Sequence, residues 1–447
     1  MNTYACLTVP QDLLERILSS NQKSGWFSGL RLKAERVFVA IQCRLNNEEV
    51  TSANGRLLPH RAANTLQGAY KEELLQWVAV DAGFHSKYSG WTLLNKEEYA
   101  ATIGLELTDE RLCFAAIEPG EDGPILTSKV ATKTGDGGVR LFPAESIVLA
   151  AEATPLARLN KEMVESLKGN NVMIVGAGSG GSEISLNLAC SGVGKLELVD
   201  HDRLHPENYV RFPAGMQELG RHKVDIVRSM IHERELPTVV NVHHVDVVRD
   251  AGEFRGLFSS KIDLIVCATD SIASRRLVNC TAVQMTIPCI IAGTLDHGKI
   301  GEVLRVEPYK SPCYECVRLE LGAVLDQPSE DDGAATPYLD TDERQLGGSA
   351  LRMDVIVPAA LASHVALQIL DPARFPSTPA PYMVWGRESG RHFSQPFQFE
   401  YPLATNFVPL KRRKDCPVCG ALPTELVGMD VAQRVDEILA EADEASA

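Results

Sequence analysis

Short apolar runs, broken at regular intervals by polar stretches of helical period, dominate the middle of this chain. Asn171–Val175, Lys195–Val199, Val239–Val245, Ile262–Cys267, Cys289–Ala292 and Gly301–Val306 read as strands. Helices fall between them, the longest predicted over Gly220–Glu235. This alternation predicts an α/β, Rossmann-like doubly wound sheet that is mainly parallel. The last two runs, separated by Asp296-His-Gly298, predict a hairpin-like antiparallel extension. A helix over Pro155–Leu167, carrying Arg158, leads into this core. Beyond it, Leu319–Arg352 is rich in Gly, Asp, Glu and Pro and predicts a long loop. Asp354–Leu370 predicts an apolar helix with a face broad enough to be buried. Tyr382–Trp385 and Phe397–Tyr401 predict strands, and Val431–Ala447 is an acidic amphipathic tail. The first 150 residues predict a separate mixed α/β domain, so the expected division is 1–150 and 151–447. In that first part Gln11–Ser19 reads as a helix, and Val37–Cys43, Leu75–Val80 and Cys113–Glu118 as strands. Thr132–Gly138 reads as a polar turn, with Val139–Pro143 leading into a helix.

The core opens on V-M-I-V-G-A-G-S-G-G, Val172 to Gly181, with Gly176, Gly178 and Gly181 in the order G-x-G-x-x-G. Strand, glycine turn and a helix from Ser182 to Cys190 would aim backbone N–H groups and a helix N-terminus at a phosphate. The next strand ends at Asp200, 24 residues after Gly176, where such a unit places an acid on ribose hydroxyls.

Charge and cysteine usage narrow the setting. A net charge of -15 argues against general nucleic-acid binding and against an anionic membrane surface. No run of residues reads as long and apolar enough to span a bilayer, and the first residues read as neither signal nor transit peptide. Four of the eleven cysteines form two C-x-x-C pairs, which implies reduced thiols, a metal site and a cytoplasmic location. Cys313, Cys316, Cys416 and Cys419 suit a closed tetrahedral Zn²⁺ with a structural role. Cys190, Cys267, Cys280 and Cys289 fall on predicted core elements and read as packing residues.

After Asp200 the chain continues H-D-R-L-H-P-E-N-Y-V-R-F and then G-R-H-K, placing Asp202, Asn208, Arg211 and Lys223 just beyond a strand's carboxyl end. Ligands of open α/β sheets bind at that edge. An Asn, an Arg and a Lys there suit a triphosphate whose α-phosphorus reacts, because charge builds up on it and on the departing pyrophosphate. Asp270 follows another apolar strand at the same edge and could hold Mg²⁺ against phosphate oxygens.

With V-G-A-G-S-G-G-S, L-V-D-H-D, E-N-Y-V-R, G-R-H-K, C-A-T-D-S and both C-x-x-C pairs, residues Leu156 to Leu422 resemble the ThiF/MoeB family of adenylating enzymes, relatives of ubiquitin-activating enzymes. The resemblance implies Asp200 on the ribose, Asn208, Arg211 and Lys223 on the phosphates, and Asp270 on magnesium. It also implies an Arg from the segment before the glycine loop, often from a second subunit; Arg158 is the candidate. Phe212 stands where the family usually has Gln or His. Ubiquitin-activating relatives carry a nucleophilic Cys between the zinc pairs, but residues 317 to 415 contain none, and Ala335-Thr336 occupies the expected place. Either the chemistry stops at the acyl-adenylate or Ala335 replaces a cysteine. In the first domain, Gly83-Phe-His85-Ser-Lys87-Tyr-Ser89-Gly resembles a degenerate JAB/MPN metallo-isopeptidase motif, with Lys87 in place of the second His and Glu97 or Glu98 near the expected Asp.

The expected activity is ATP-dependent adenylation of the C-terminal carboxylate of a ubiquitin-like protein ending in Gly, with release of pyrophosphate. A sulfur-carrier protein or a short peptide is an alternative substrate. ATP, Mg²⁺ and Zn²⁺ are the expected cofactors, with a homodimer and a conjugating enzyme as expected partners. An NAD(P)-dependent oxidoreductase and a non-catalytic scaffold are the readings from other classes; Arg211, Lys223 and Asp270 argue against the first.

Overall fold

The computed structural model describes residues 6–20, 22–32, 37–46, 48–51, 70–107, 111–121, 123–149, 155–259, 261–325, 350–389 and 395–420. The chain divides into two compact units, Met1–Ala153 and Thr154–Ala447, each with its own sheet.

The first unit runs β1 (Cys6–Pro10), α1 (Gln11–Ser19), β2 (Ser24–Leu32), β3 (Val37–Leu45), β4 (Glu48–Thr51), β5 (Tyr70–Ala79), α2 (Phe84–Lys87), β6 (Thr92–Leu94), α3 (Lys96–Thr102), β7 (Arg111–Gly120), β8 (Gly123–Lys133) and β9 (Val139–Leu149). Strand order is β1-β3-β2-β5-β7-β8-β9-β6, and β1 also pairs with β9, so the sheet closes on itself. Leu13, Leu14 and Ile17 lie on one face of α1 and pack among Phe27, Phe38 and Trp77. Val139–Pro143 does not enter a helix. It begins β9, where buried Val139 and Leu141 alternate with exposed Arg140 and Phe142, a period of two. The turn before it closes the β8–β9 hairpin: Thr134 N–H donates to the Gly138 carbonyl at 2.9 Å.

The second unit runs α4 (Lys161–Lys168), β10 (Asn171–Val175), α5 (Ser179–Ser191), β11 (Lys195–Val199), α6 (Lys223–Glu233), β12 (Val239–His243), α7 (Ala251–Gly256), β13 (Leu264–Cys267), α8 (Ile272–Gln284), β14 (Cys289–Leu295), β15 (Ile300–Val306), α9 (Tyr314–Leu325), α10 (Arg352–Leu370), β16 (Tyr382–Gly386) and β17 (Thr405–Val408). The sheet order is β12-β11-β10-β13-β14-β15-β16-β17. The first five strands are parallel, and β15, β16 and β17 continue antiparallel. Every residue of the central strands β10 and β13 is buried, as in a sheet covered on both faces.

Several boundaries differ from the sequence reading. Residues 155–159 form a turn, because Asn160 caps α4 by accepting the Met163 N–H at 3.0 Å. The helix expected over Gly220–Glu235 is only Lys223–Glu233; α5 and α8 are longer, and α10, at 19 residues, is longer again. Residues 319–325, expected in a loop, belong to α9. The rest of that loop, 326–349, with Ala335-Thr336, and the tail from Val431 lie outside the described residues. Phe397–Tyr401 is irregular rather than a strand. Phe397 and Phe399 are buried for packing, with Phe399 pressed against Gly386, while the Asn406 amide donates to the Pro396 and Gln398 carbonyls. Cys267, Cys280 and Cys289 are buried as expected, but Cys190 is exposed at the end of α5. Among the described residues α10 is the one helix long and apolar enough, by length and composition, to cross a membrane. Here Ala359, Ala362, Val365 and Ala366 join the core formed with α5 and the sheet.

Candidate functional site

The glycine turn follows β10 at the carboxyl edge of the parallel strands. Gly176 has φ +90°, and its N–H donates to the Val199 carbonyl at 2.8 Å. A Cβ on it would stand 2.9 Å from both the Ala268 carbonyl oxygen and Thr269 Cγ2, so the segment after β13 lies directly under the turn. Gly181 lies inside α5, and a Cβ there would come within 1.8 Å of the Gly176 carbonyl oxygen. Gly178 differs: it is the N-cap of α5, and a Cβ on it would meet nothing within 4 Å. The turn is therefore packed from behind and open at the helix N-terminus, the side where a phosphate would approach.

Asp200 fixes this turn. One carboxylate oxygen accepts the Ala177 N–H at 2.7 Å and the other the Asp202 N–H at 2.8 Å. Each oxygen keeps a lone pair for a further donor such as a ribose hydroxyl. Burial pushes the Asp200 carboxyl pKa up, against the opposing charge of Lys223. Asp202 goes the other way. Partial burial would raise it, but the Lys223 ammonium, 2.7 Å from its carboxylate, together with His201 and His205, holds it low. Lys223 opens α6 and is tethered there by its own N–H to the Asp202 carbonyl at 3.0 Å.

Asn208 closes a short 3₁₀ turn, its side-chain oxygen accepting the His205 N–H at 3.0 Å. The N–H groups of Arg211 and Phe212 both donate to the Asn208 carbonyl. Phe212 is buried in the core and anchors the segment that presents Arg211. Asp270 is exposed immediately before Ser271, the N-cap of α8. It offers one carboxylate at this edge, where Asp200, His201 and Asp202 form a second group of donors that could hold a hard cation.

Arg158 is not brought to this edge. It is exposed in the turn before α4. Two residues away, Leu156 packs beside Gly192, which ends α5 at the opposite edge of the sheet. Within its own chain, Arg158 stands apart from Asp200, Lys223 and Asp270.

The four paired cysteines converge. Cys313 and Cys316 lie at the start of α9 and Cys416 and Cys419 in a late turn, all buried. The Sγ–Sγ separations are 3.9 Å for Cys313–Cys316, 3.6 Å for Cys313–Cys416 and 3.4 Å for Cys316–Cys419. Four thiolates about 2.3 Å from a tetrahedral Zn²⁺ would stand about 3.8 Å apart, so the cluster fits that ion. The Arg413 N–H donates to the Cys316 sulfur at 3.5 Å, a contact that suits a thiolate.

Sequence reasoning missed two supports of the edge. Arg352, opening α10, donates to the Arg211 carbonyl and pairs with Glu183 of α5 at 2.5 Å. Arg275, buried on α8, reaches back to the Thr269 carbonyl. The available signals were an Arg-Arg pair in a helical stretch with no other charged residue and Glu302 in a mostly apolar strand. In the first unit, His85 sits on α2 with Nδ1 2.9 Å from Thr127 Oγ1. The Lys87 ammonium lies over the Tyr88 ring, and Glu98 is engaged in a capping box with Asn95.

Residues 150–371 match the ThiF family. SUMO-activating enzyme subunit 2 of Dictyostelium discoideum is 29% identical over 159 residues, covering 35% of this chain and 23% of that protein. The adenylyltransferase and sulfurtransferase MOCS3 of Culex quinquefasciatus is 32% identical over 153 residues, covering 34% of each. Among solved structures, E. coli MccB with ATP superposes with a TM-score of 0.44 at 20% identity, covering 58% of this chain and 69% of that one. The chain thus spans well under half the length of these curated relatives. The family match removes the dinucleotide-oxidoreductase reading that the glycine pattern alone left open. Through residues 150–371, this chain belongs to the ThiF family.

Proposed function

We propose that the second unit uses ATP to adenylate the C-terminal carboxylate of a ubiquitin-like or sulfur-carrier protein, releasing pyrophosphate. The observation that carries this reading is the shared sheet edge: a glycine turn open at Gly178 and clamped by Asp200, with Lys223 and Asp270 at the same carboxyl ends. The relatives, a SUMO-activating enzyme subunit and an adenylyltransferase and sulfurtransferase, support this substrate class.

In this reading Asp200 accepts the ribose hydroxyls while holding Ala177. Lys223 exchanges Asp202 for phosphate oxygens, and Asn208 and Arg211 bind the same triphosphate. Asp270 would hold Mg²⁺, whose charge offsets that of the departing pyrophosphate. The partner's carboxylate attacks the α-phosphorus, so this step needs no nucleophile from the chain, and catalysis is positioning and charge neutralisation. Arg158, remote from this edge in its own chain, serves the nucleotide site of a second copy, which makes a homodimer part of the proposal. With no cysteine in residues 317–415, the acyl-adenylate is the product handed on, to a conjugating enzyme or another acceptor.

The test is ATP–pyrophosphate exchange with candidate ubiquitin-like and sulfur-carrier proteins. Asp270→Ala and Lys223→Ala should each lower exchange by about 10²–10³ at unchanged circular dichroism and melting. Near-normal exchange in both variants would remove the physical basis of the proposal.

A further inference from the structure

Behind Asp270 lies a buried polar chain that the adenylation reading does not use. Arg275 is 1% exposed. Its Nε donates to the Thr269 carbonyl at 2.8 Å, and its Nη1 pairs with Glu302 Oε1 at 2.5 Å. Glu302 Oε2 accepts the Tyr382 hydroxyl at 2.8 Å. The guanidinium also presses on β14, where a Cβ on Gly293 would fall 2.0 Å from Nη2, so a side chain there would have to displace the guanidinium. Elements α8, β14 and β15 thus meet on one guanidinium, β16 joins it through Glu302, and its Nε ends at the peptide preceding Asp270.

Stability alone does not account for such a chain. A buried ion pair gains little over apolar residues of the same volume, because both charges must leave water. What it supplies is a fixed direction. Ser274 Oγ donates to Thr269 Oγ1 at 2.6 Å, and Thr269 Cγ2 lies under Gly176. Thr269 is therefore held at its carbonyl, its hydroxyl and its methyl group, and little freedom remains in the backbone that carries Asp270.

We propose that Arg275, backed by Glu302 and Tyr382, is a positioning residue that sets the Asp270 carboxylate for the divalent cation accompanying the nucleotide. This rests on the adenylation reading for its ligand, a magnesium–nucleoside triphosphate. The chain's own contribution is backbone placement: Arg275 acts through the Thr269 carbonyl and does not touch the nucleotide.

The experiment uses the full chain with Arg275→Lys and, as a milder change that keeps the guanidinium, Tyr382→Phe. ATP binding is titrated calorimetrically over a range of Mg²⁺ concentrations, and amide exchange of residues 268–271 is followed without nucleotide. Arg275→Lys should raise the Mg²⁺ concentration for half-maximal ATP affinity by about tenfold, while affinity in the absence of Mg²⁺ changes less than about twofold. Amide exchange at 268–271 should quicken without nucleotide, and Tyr382→Phe should shift both readouts in the same direction by a smaller factor. In an Asp270→Ala background neither substitution should alter the Mg²⁺ dependence further. A Mg²⁺-dependent wild type with unchanged Mg²⁺ dependence in a folded Arg275→Lys, or in Tyr382→Phe should Arg275→Lys fail to fold, overturns the positioning role alone. Additive effects in the Asp270→Ala background do the same. A wild type whose ATP affinity ignores Mg²⁺ overturns this role and the magnesium step of the adenylation reading together.

Discussion

Two alanine substitutions in one glycine turn should fail in opposite ways. At Gly181 the added Cβ would stand 1.8 Å from the Gly176 carbonyl oxygen, a backbone atom that cannot rotate away. Overpacking of this kind costs about 1–3 kcal/mol or more. The helical gain of Ala over Gly returns about 1 kcal/mol. Because the collision is with backbone, the upper end applies, and a net loss of about 2 kcal/mol is expected, or roughly 4–8 °C in melting temperature for a unit of this size. At Gly178 the Cβ meets nothing within 4 Å. Its φ of -66° is open to any residue. Losing Gly at an N-cap costs about 0.5–1 kcal/mol, and the stiffer unfolded chain returns a similar amount, so melting should move little. The same Cβ would occupy the open side of the turn and obstruct a phosphate. Gly178→Ala should therefore weaken ATP binding by at least about tenfold, roughly 1.4 kcal/mol. Scanning calorimetry and ATP titration of both variants decide the matter. If Gly178→Ala binds ATP normally, the phosphate does not approach the N-terminus of α5. If Gly181→Ala melts like wild type, the turn is not packed as described.

Purified protein should contain one zinc per chain by elemental analysis, and Cys416→Ser should lose it and melt earlier; zinc-free wild type would refute the four-cysteine site. Asp200→Asn should weaken ATP binding and also lower the melting temperature of the nucleotide-free protein, because one amide oxygen cannot accept from both the Ala177 and the Asp202 N–H. The folded state raises the Asp200 pKa, so ionising this carboxyl costs stability as pH rises past the unfolded carboxylate range near ~4. The loss caused by Asn should therefore be smaller above the raised pKa than below about pH 4, and a loss independent of pH would refute the assignment.

Local chemistry in the sequence already carried much of this protein. A strand, a G-x-G-x-x-G turn and an acid at Asp200 depend on neighbours close along the chain, and the parallel strands are continuous apolar runs because both of their faces are covered. The two C-x-x-C pairs were legible for the same reason, since each pair spans one turn. Contacts between distant segments were not legible. Val139–Pro143 suggested a helix entry until pairing with β8 imposed a period of two. Phe397 and Phe399 suggested a strand, although what buries them is packing, including Phe399 against Gly386. Arg158 stood out by its place before the glycine loop as the arginine often supplied by a second subunit; that its own turn lies beside Leu156 at the far edge of the sheet, away from its own nucleotide edge, could not be read along the chain. Arg275 and Glu302 are 27 residues apart, on a helix and a strand, and their ion pair leaves no local pattern in the sequence. Periodicity and turn chemistry are read along the chain, whereas a buried charge finds its partner only when tertiary packing leaves it no water.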